Sequence, residues 1–295
     1  RVVQIVERKN INLARWENLT NKQEGISLFV KAWYLDAIAE SWCVLVNDDY
    51  SRGIALPYSK RAGVEVLYSP VFGRYSEVIG EFKEDELALI TERFKVIEFA
   101  CRHELFDKPE ERIYQAISDF KSRKLGSQAK RSLKKAEKNG FSVALTDDYS
   151  NVFSKVKEEL NHKFTGITEK SLNALKQLFE NAKQAEAIKV FNVAGNGNLG
   201  GIVCFESKDQ LLYVKGAVDS ETKSNGGMYL ALNSAIEYAK ENNLKFDFGG
   251  SNIEGVKRFN YNLGGIDEVY FMHIQNNGPA WFKLAKRLKT HLIDR

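Results

Sequence analysis

Apolar and polar positions change period several times along the chain, and each change marks an element. Val2–Glu7 alternates as a short strand, and Leu13–Gln23 and Val30–Ala39 carry helical spacing. Trp42–Val46 is apolar and rich in β-formers, and a turn cluster spans Asn47–Gly53. Ile54–Tyr58 and Val64–Tyr68 read as strands joined by the turn Lys60–Gly63. Leu87, Ile90, Phe94, Ile97 and Cys101 fall at helical spacing, which predicts one amphipathic helix over Glu84–His103. Ile113–Ile117 is a further strand.

The second half repeats this order. Phe141–Leu145 reads as a strand, 150–161 and 171–186 as helices, and Ile188–Val193, Gly201–Phe205 and Leu211–Val218 as three strands. A helix is expected from Gly226 to Glu241, then a short strand Phe246–Phe248, a short helix Ile253–Asn260, a strand Glu268–Ile274 and a terminal helix 281–292. Each half thus runs strand, two helices, three-strand meander, helix, strand. No residue-level repeat accompanies the shared order, which points to a structural duplication. A meander followed by a crossover helix and a neighbouring strand predicts a mixed sheet in an α+β architecture.

The formal net charge of +4 on 295 residues becomes informative once located. Residues 121–140 alone carry +7, residues 281–295 carry +4, and the remainder is therefore −7. An anionic partner is to be sought at those two segments. No apolar run is long enough to cross a membrane, and no signal-peptide pattern opens the sequence. Cys43, Cys101 and Cys204 are odd in number and far apart, which suggests a reducing, cytoplasmic setting without a disulfide framework.

Several chemistries find no support. His103, His162, His273 and His291 are scattered without metal-ligand spacing, and neither a G-x-S-x-G elbow nor a P-loop occurs. The three cysteines lie in apolar patterns and read as core. Gly195–Gly200 matches G-x-G-x-x-G but falls between two strands, so a hairpin outweighs a dinucleotide site.

Three segments carry candidate chemistry. Lys223-Ser224-Asn225-Gly226-Gly227 follows the strand ending at Val218 and precedes a helix. It is either a phosphate site built from backbone N–H groups and the helix dipole or a glycine-rich helix start without a ligand. Phe246–Asn252 ends a strand in two glycines, which fits a splay between parallel strands that admits a ligand, or a turn in which Ser251 or Asn252 caps a helix. Ser127–Asn139 reads as a helix with Ser127 as N-cap, and Lys130, Lys134 and Lys138 share one row beside Arg131 and Lys135. Such a row costs helix stability, so it implies an anion, or else a solvated face. RNA binding through 121–140 is a further reading, although aromatic and basic residues do not interleave there.

Taken together, these segments resemble a GNAT-type acyltransferase domain, and the whole chain is similar to the Fem-like branch, in which two such domains are fused. The tyrosine-bearing strand with Lys223–Gly227 resembles an acyl-donor pyrophosphate loop. Phe246-Asp-Phe-Gly-Gly-Ser251 with Gly255–Phe259 and Leu263-Gly-Gly265 resembles the signature closing the Fem-like domain, and Lys135–Gly140 the pattern opening its second domain. Ala32–Ala37 and Tyr68–Phe72 look like an uncharacterised bacterial subgroup. Asn260 stands where the Fem pattern often has Lys, with Lys257 nearby, and the inserted coiled-coil arm is absent.

The resemblance implies tandem GNAT-like domains, 1–119 on the acceptor side and 120–295 for the acyl donor, with helix 281–292 packing back on the first. It implies transfer of an acyl or aminoacyl group from acyl-CoA or aminoacyl-tRNA, with no permanent cofactor, to an amine of an anionic, cell-envelope or sugar-nucleotide acceptor. Asp247 would be the base, with Tyr213 and Tyr229 as alternatives. Val218 and Lys223–Gly227 would hold donor phosphates, while Arg131, Lys134, Lys257, Trp33, Tyr68 and Arg74 would meet the acceptor or a tRNA-like donor. A non-catalytic anion-binding module on a degenerate transferase fold is the rival reading.

Overall fold

A computed structural model describes residues 2–159, 168–250 and 253–282. The chain divides into two compact units, Arg1–Arg112 with the segment from Tyr270 onward, and Ile113–Val269.

The first unit contains β1 (Val3–Glu7), α1 (Leu13–Lys22), α2 (Ala32–Ile38), β2 (Ser41–Asn47), β3 (Gly53–Arg61), β4 (Val64–Tyr68), the short β5 (Val78–Ile79), α3 (Glu84–Arg93) and β6 (Val96–Cys101). The meander β1-β2-β3-β4 is antiparallel throughout, and β4 then pairs with β6 in parallel. α1 and α2 cover one face through Trp16, Leu35 and Val44, and α3 covers the other through Ile90, Phe94 and Leu45. Trp16 is fully buried, and its indole N–H donates to the Val30 carbonyl at 3.0 Å.

The helix expected over Glu84–His103 is in fact two elements, α3 and β6. Phe94 leaves the helical region at φ −98° and ψ 102°. Val96, Ile97 and Phe99 beyond it are β-branched or aromatic and favour the extended chain. The apolar set Ile90, Phe94, Ile97 and Cys101 does enter one core. Its spacing therefore reported burial correctly and the backbone period wrongly.

The second unit holds most of β7 (Glu110–Ile117), then α4 (Ser127–Lys138), β8 (Ser142–Thr146), α5 (Ser150–Glu159), α6 (Glu169–Gln184), β9 (Ile188–Ala194), β10 (Gly200–Glu206) and β11 (Gln210–Val218). A short α7 (Ser220–Ser224), α8 (Gly227–Glu241), β12 (Lys245–Asp247) and α9 (Glu254–Asn262) follow, before β13 (Ile266–Asn276) begins. Again the meander β8-β9-β10-β11 is antiparallel and β11 pairs with β12 in parallel. Gly195–Leu199 is the loop between the antiparallel β9 and β10 and Gly200 opens β10, as the hairpin reading expects.

The two units share one strand topology, and each takes its sixth strand from elsewhere in the chain. β13, at the end of the second half, pairs antiparallel with β6 of the first unit over Phe271–Asn276. β7, at the end of the first half, pairs antiparallel with β12 of the second, Phe246 opposite Ile117 and Asp247 opposite Ala116. The sequence boundary at 119/120 therefore differs from the packing boundaries, which fall after Arg112 and Val269. Of the expected terminal helix, Trp281 and Phe282 are described, and Phe282 buries against Val66 and Val96. Residues 283–292, like His162, His291, Ser251 and Asn252, lie outside the described residues.

All three cysteines are buried, two of them in β2 and β10 as expected and Cys101 in β6 rather than on a helix. Burial pushes the Cys43 and Cys101 thiols up to about 12, and Cys204 is also raised. Since only the thiolate is reactive, the native protein at pH 8 is expected to leave all three unmodified by a thiol reagent. Unfolding in guanidinium should release three reactive thiols, counted by absorbance.

Candidate active site

The site in the second unit begins with a flaw in the β10–β11 ladder. Cys204 lies opposite Tyr213 and Val203 opposite Lys215, so Val214 is an extra residue in a β-bulge. A bulge takes its extra residue out of the ladder and turns the strand. β11 also parts from β12 here: their pairing ends at Leu212 opposite Asp247, while β11 continues to Val218. No other segment pairs with the diverging strands in the gap among the described residues.

The first unit treats the equivalent gap differently. Beyond Tyr68, the Ser69 N–H donates to the Glu98 carbonyl at 3.2 Å, and the Ser69 Oγ accepts from the Ala100 N–H at 2.8 Å. Ser76 then bridges to Cys101, and its Oγ donates to the Ala55 carbonyl at 2.6 Å. Only the second unit thus keeps an open splay.

Past β11, Asp219 caps α7 by accepting from the Thr222 N–H at 2.8 Å. Lys223 and Ser224 lie inside α7 and Asn225 ends it, so the five-residue loop expected from the sequence narrows to Gly226 and Gly227 at the start of α8. Gly226 has φ +88°, and a Cβ there would stand 2.1 Å from the Ser132 carbonyl oxygen of α4. Glycine is required because α4 lies directly on this turn. The first N–H groups of α8 have no intrahelical acceptor, and those of Gly227, Met228 and Tyr229 meet no other protein acceptor among the described residues. The helix start thus presents bare donors beside the end of β11, the arrangement suited to a phosphate.

Asp247 is the last residue of β12 and only 2% exposed. Its Oδ1 accepts from the Gly249 N–H at 2.8 Å, which closes the turn after the strand. Gly249 has φ +79°, and a Cβ there would approach the Tyr213 carbonyl oxygen to 2.4 Å. Asp247, Gly249 and Tyr213 therefore converge at the mouth of the splay. Burial raises the Tyr213 and Tyr229 phenols above their ordinary value, so both stay protonated near neutrality and suit proton donation better than base catalysis. The Tyr229 ring, on the first turn of α8, packs on Phe259 of α9 with centroids 4.3 Å apart.

α4 presents its basic residues outward. Ala129, Ser132 and Ala136 form its buried face, while Lys130, Arg131, Lys134, Lys135 and Lys138 are exposed. Its N-cap is Gly126 rather than Ser127, because the Gly126 N–H donates to the Asn262 carbonyl at 2.8 Å and docks the helix start on the end of α9. Lys135 Nζ donates to the Ser224 carbonyl at 3.0 Å, and Arg131 donates to Gln128 Oε1 at 2.9 Å. Lys130, Lys134 and Lys138 make no ion pair among the described residues. Lys257 is half-buried on α9.

Trp33, Tyr68 and Arg74 all belong to the first unit. Trp33 lies on α2 and packs on Tyr34, and the Tyr68 hydroxyl accepts from the Glu40 N–H at 3.1 Å. The Arg74 guanidinium lies over the Phe29 and Tyr75 rings at 5.1 and 4.9 Å. These contacts are packing interactions around α2 and the 69–76 segment.

Two features escaped the sequence reading. Arg123, counted within the basic segment, is an internal staple with a side chain 7% exposed. It donates to Glu237 at 2.6 Å, Asn233 at 2.7 Å and the Leu263 carbonyl at 2.9 Å. Buried Gln115 donates to Asp267 at 2.9 Å and accepts from Asn260 at 3.0 Å, while its carbonyl accepts from the Phe248 N–H at 3.1 Å. This network fixes the turn that carries Asp247, and its residues are too far apart in sequence for any spacing rule to join them. Arg123→Ala removes the donor to Glu237 Oε1, Asn233 Oδ1 and the Leu263 carbonyl, and is expected to lower unfolding free energy by about 2–3 kcal/mol in a urea titration.

No family model matches the sequence, and no curated protein is recognisably similar to it. Solved structures are. The fold is that of tandem GNAT-type and Fem-type proteins, an α+β architecture of two like units. FemX superposes with a TM-score of 0.67 at 10% identity over 94% of this chain and 98% of its own. L-PGS from Bacillus licheniformis gives 0.57 at 11% identity over 96% and 97%. A tandem GNAT protein from the clavulanic acid biosynthesis pathway gives 0.51 at 10% identity over 95% and 100%.

Proposed function

We propose that the second unit binds an acyl or aminoacyl donor through its phosphates at the start of α8 and transfers the acyl group to an amine. The observation that carries this reading is the coincidence of three features: bare N–H groups at Gly227–Tyr229, the Val214 bulge, and the β11/β12 splay closed by Asp247. The donor phosphates meet the α8 start, with Val218, Lys223, Ser224, Asn225, Gly226 and Gly227 bordering them. The acyl chain lies in the splay, where a backbone N–H of the bulged β11 polarises its carbonyl. The amine attacks that carbonyl, the new C–N bond forms, and the bond to the donor's leaving thiolate or hydroxyl breaks. Asp247 takes the amine proton and Tyr213 or Tyr229 supplies one to the leaving group. The names of the structural neighbours, FemX, L-PGS and a tandem GNAT protein described without AcCoA, support a transferase.

An acyl-CoA donor fits the narrow helix start. An aminoacyl-tRNA donor is favoured by one specific observation, the exposed row Lys130, Lys134 and Lys138 on the helix that covers that start. In this reading Arg131, Lys134 and Lys257 meet the anionic donor or acceptor.

The test is calorimetric titration with acetyl-CoA, CoA and a charged tRNA, followed by mass spectrometry of candidate amines. The expected result is saturable binding of one donor class and amine acylation abolished in Asp247→Asn. Binding that persists without any transfer would favour the non-catalytic anion-binding module.

A further inference from the structure

The shared topology puts α3 of the first unit where α8 stands in the second, between the meander and the parallel strand. The two helix starts carry opposite charge. α8 follows Lys223 and has no acid in its first turn, whereas α3 opens with Glu84, Asp85 and Glu86. The start of α3 therefore disfavours an anion where that of α8 suits one.

Beside α3 runs a groove of about 540 Å³, bounded by the helix from Glu84 to Thr91 and by residues 104–107 opposite. Leu87, Leu105 and Phe106 give it an apolar floor, and Glu84, Glu104 and Asp107 stand at its rim. None of these three carboxylates makes an ion pair among the described residues. Some other acids of the unit are paired, among them Asp36 with Arg8, Glu86 with Arg52 and Glu98 with Arg61. The 104–107 wall is anchored from below. The Leu105 N–H donates to Nε2 of the buried His273 at 3.3 Å, and Phe106 meets that ring edge-on at 5.2 Å.

An apolar trough rimmed by unneutralised carboxylates is complementary to a flexible chain of methylenes carrying ammonium groups. It repels phosphates and carboxylates. We propose that the first unit binds a small aliphatic polyamine in this groove. The ammonium groups lie against Glu84, Glu104 and Asp107, and the methylenes cover Leu87, Leu105 and Phe106. The proposal stands independently of acyl transfer by the second unit.

The test is isothermal titration of the full chain with spermidine at low ionic strength. One saturable site is expected, weakening as salt is raised. The triple variant E84Q/E104Q/D107N should bind at least tenfold more weakly. Ala88→Phe, which fills the groove without touching its charge, should do the same. Circular dichroism melts that match the parent show both variants folded. Three results each overturn the proposal: no saturable binding to the parent, undiminished binding by the folded variants, or binding of an oligolysine peptide without spermidine.

Discussion

A fragment that begins at residue 120 is expected not to fold, although it contains every element of the second half. It lacks β7, whose residues Tyr114, Gln115, Ala116 and Ile117 are all at most 2% exposed. Phe246 and Asp247 lose their antiparallel partners, and Asn260 and Asp267 lose Gln115. Burying one large apolar side chain contributes about 1.5–3 kcal/mol. The two large side chains of β7, Tyr114 and Ile117, with the polar network around Gln115, therefore contribute about 5 kcal/mol or more. That is comparable with the whole stability of a domain, about 5–15 kcal/mol. A fragment spanning 110–269 restores the strand and is expected to show a cooperative urea transition, whereas 120–295 should show none. Equal cooperativity in the two fragments would contradict the exchange of sixth strands.

Gly226→Ala should be the most damaging single substitution at the candidate site. An alanine there meets the Ser132 carbonyl oxygen and must also hold φ +88°. Left-handed backbone costs about 1–3 kcal/mol for a residue with a Cβ, and overpacking against fixed backbone adds about 1–3 kcal/mol. A loss of about 3 kcal/mol or more is expected by urea denaturation. Because the strain is relieved by moving α4 off the turn, donor binding should fall with it. Gly255→Ala, where nothing lies within 4 Å of a Cβ and no positive φ is required, serves as the neutral control.

Much of the architecture was legible because alternation and turn chemistry are local. The meanders, the crossover helix after Gly226 and the repeated order could be followed residue by residue. What failed was the assignment at Phe94–Cys101. There a continuous apolar spacing carried through a change of backbone period, and only β-branching at Val96 and Ile97 marked it. The strand exchange was not legible, since nothing in Ile113–Ile117 names its partner. At the site, chain order pointed to Gly226 and Gly227 as a helix start, while the role of Asp247 came from the family resemblance. Arg123 was counted as surface charge because burial depends on Asn233, Glu237 and Leu263, more than a hundred residues away. The bulge at Val214 left no mark in the sequence either, since it is defined by register against Val203 and Cys204.

The central claim is that the α8 start and the β11/β12 splay hold the donor. Amide hydrogen exchange followed by mass spectrometry, with and without saturating acetyl-CoA or aminoacyl-tRNA, tests it most directly. The account predicts slowed exchange at residues 213–230 and 247–250, extending to α4 only with aminoacyl-tRNA, and no change in α3 or residues 69–76. Protection in the first unit instead, or none in either unit with both donors, would contradict it.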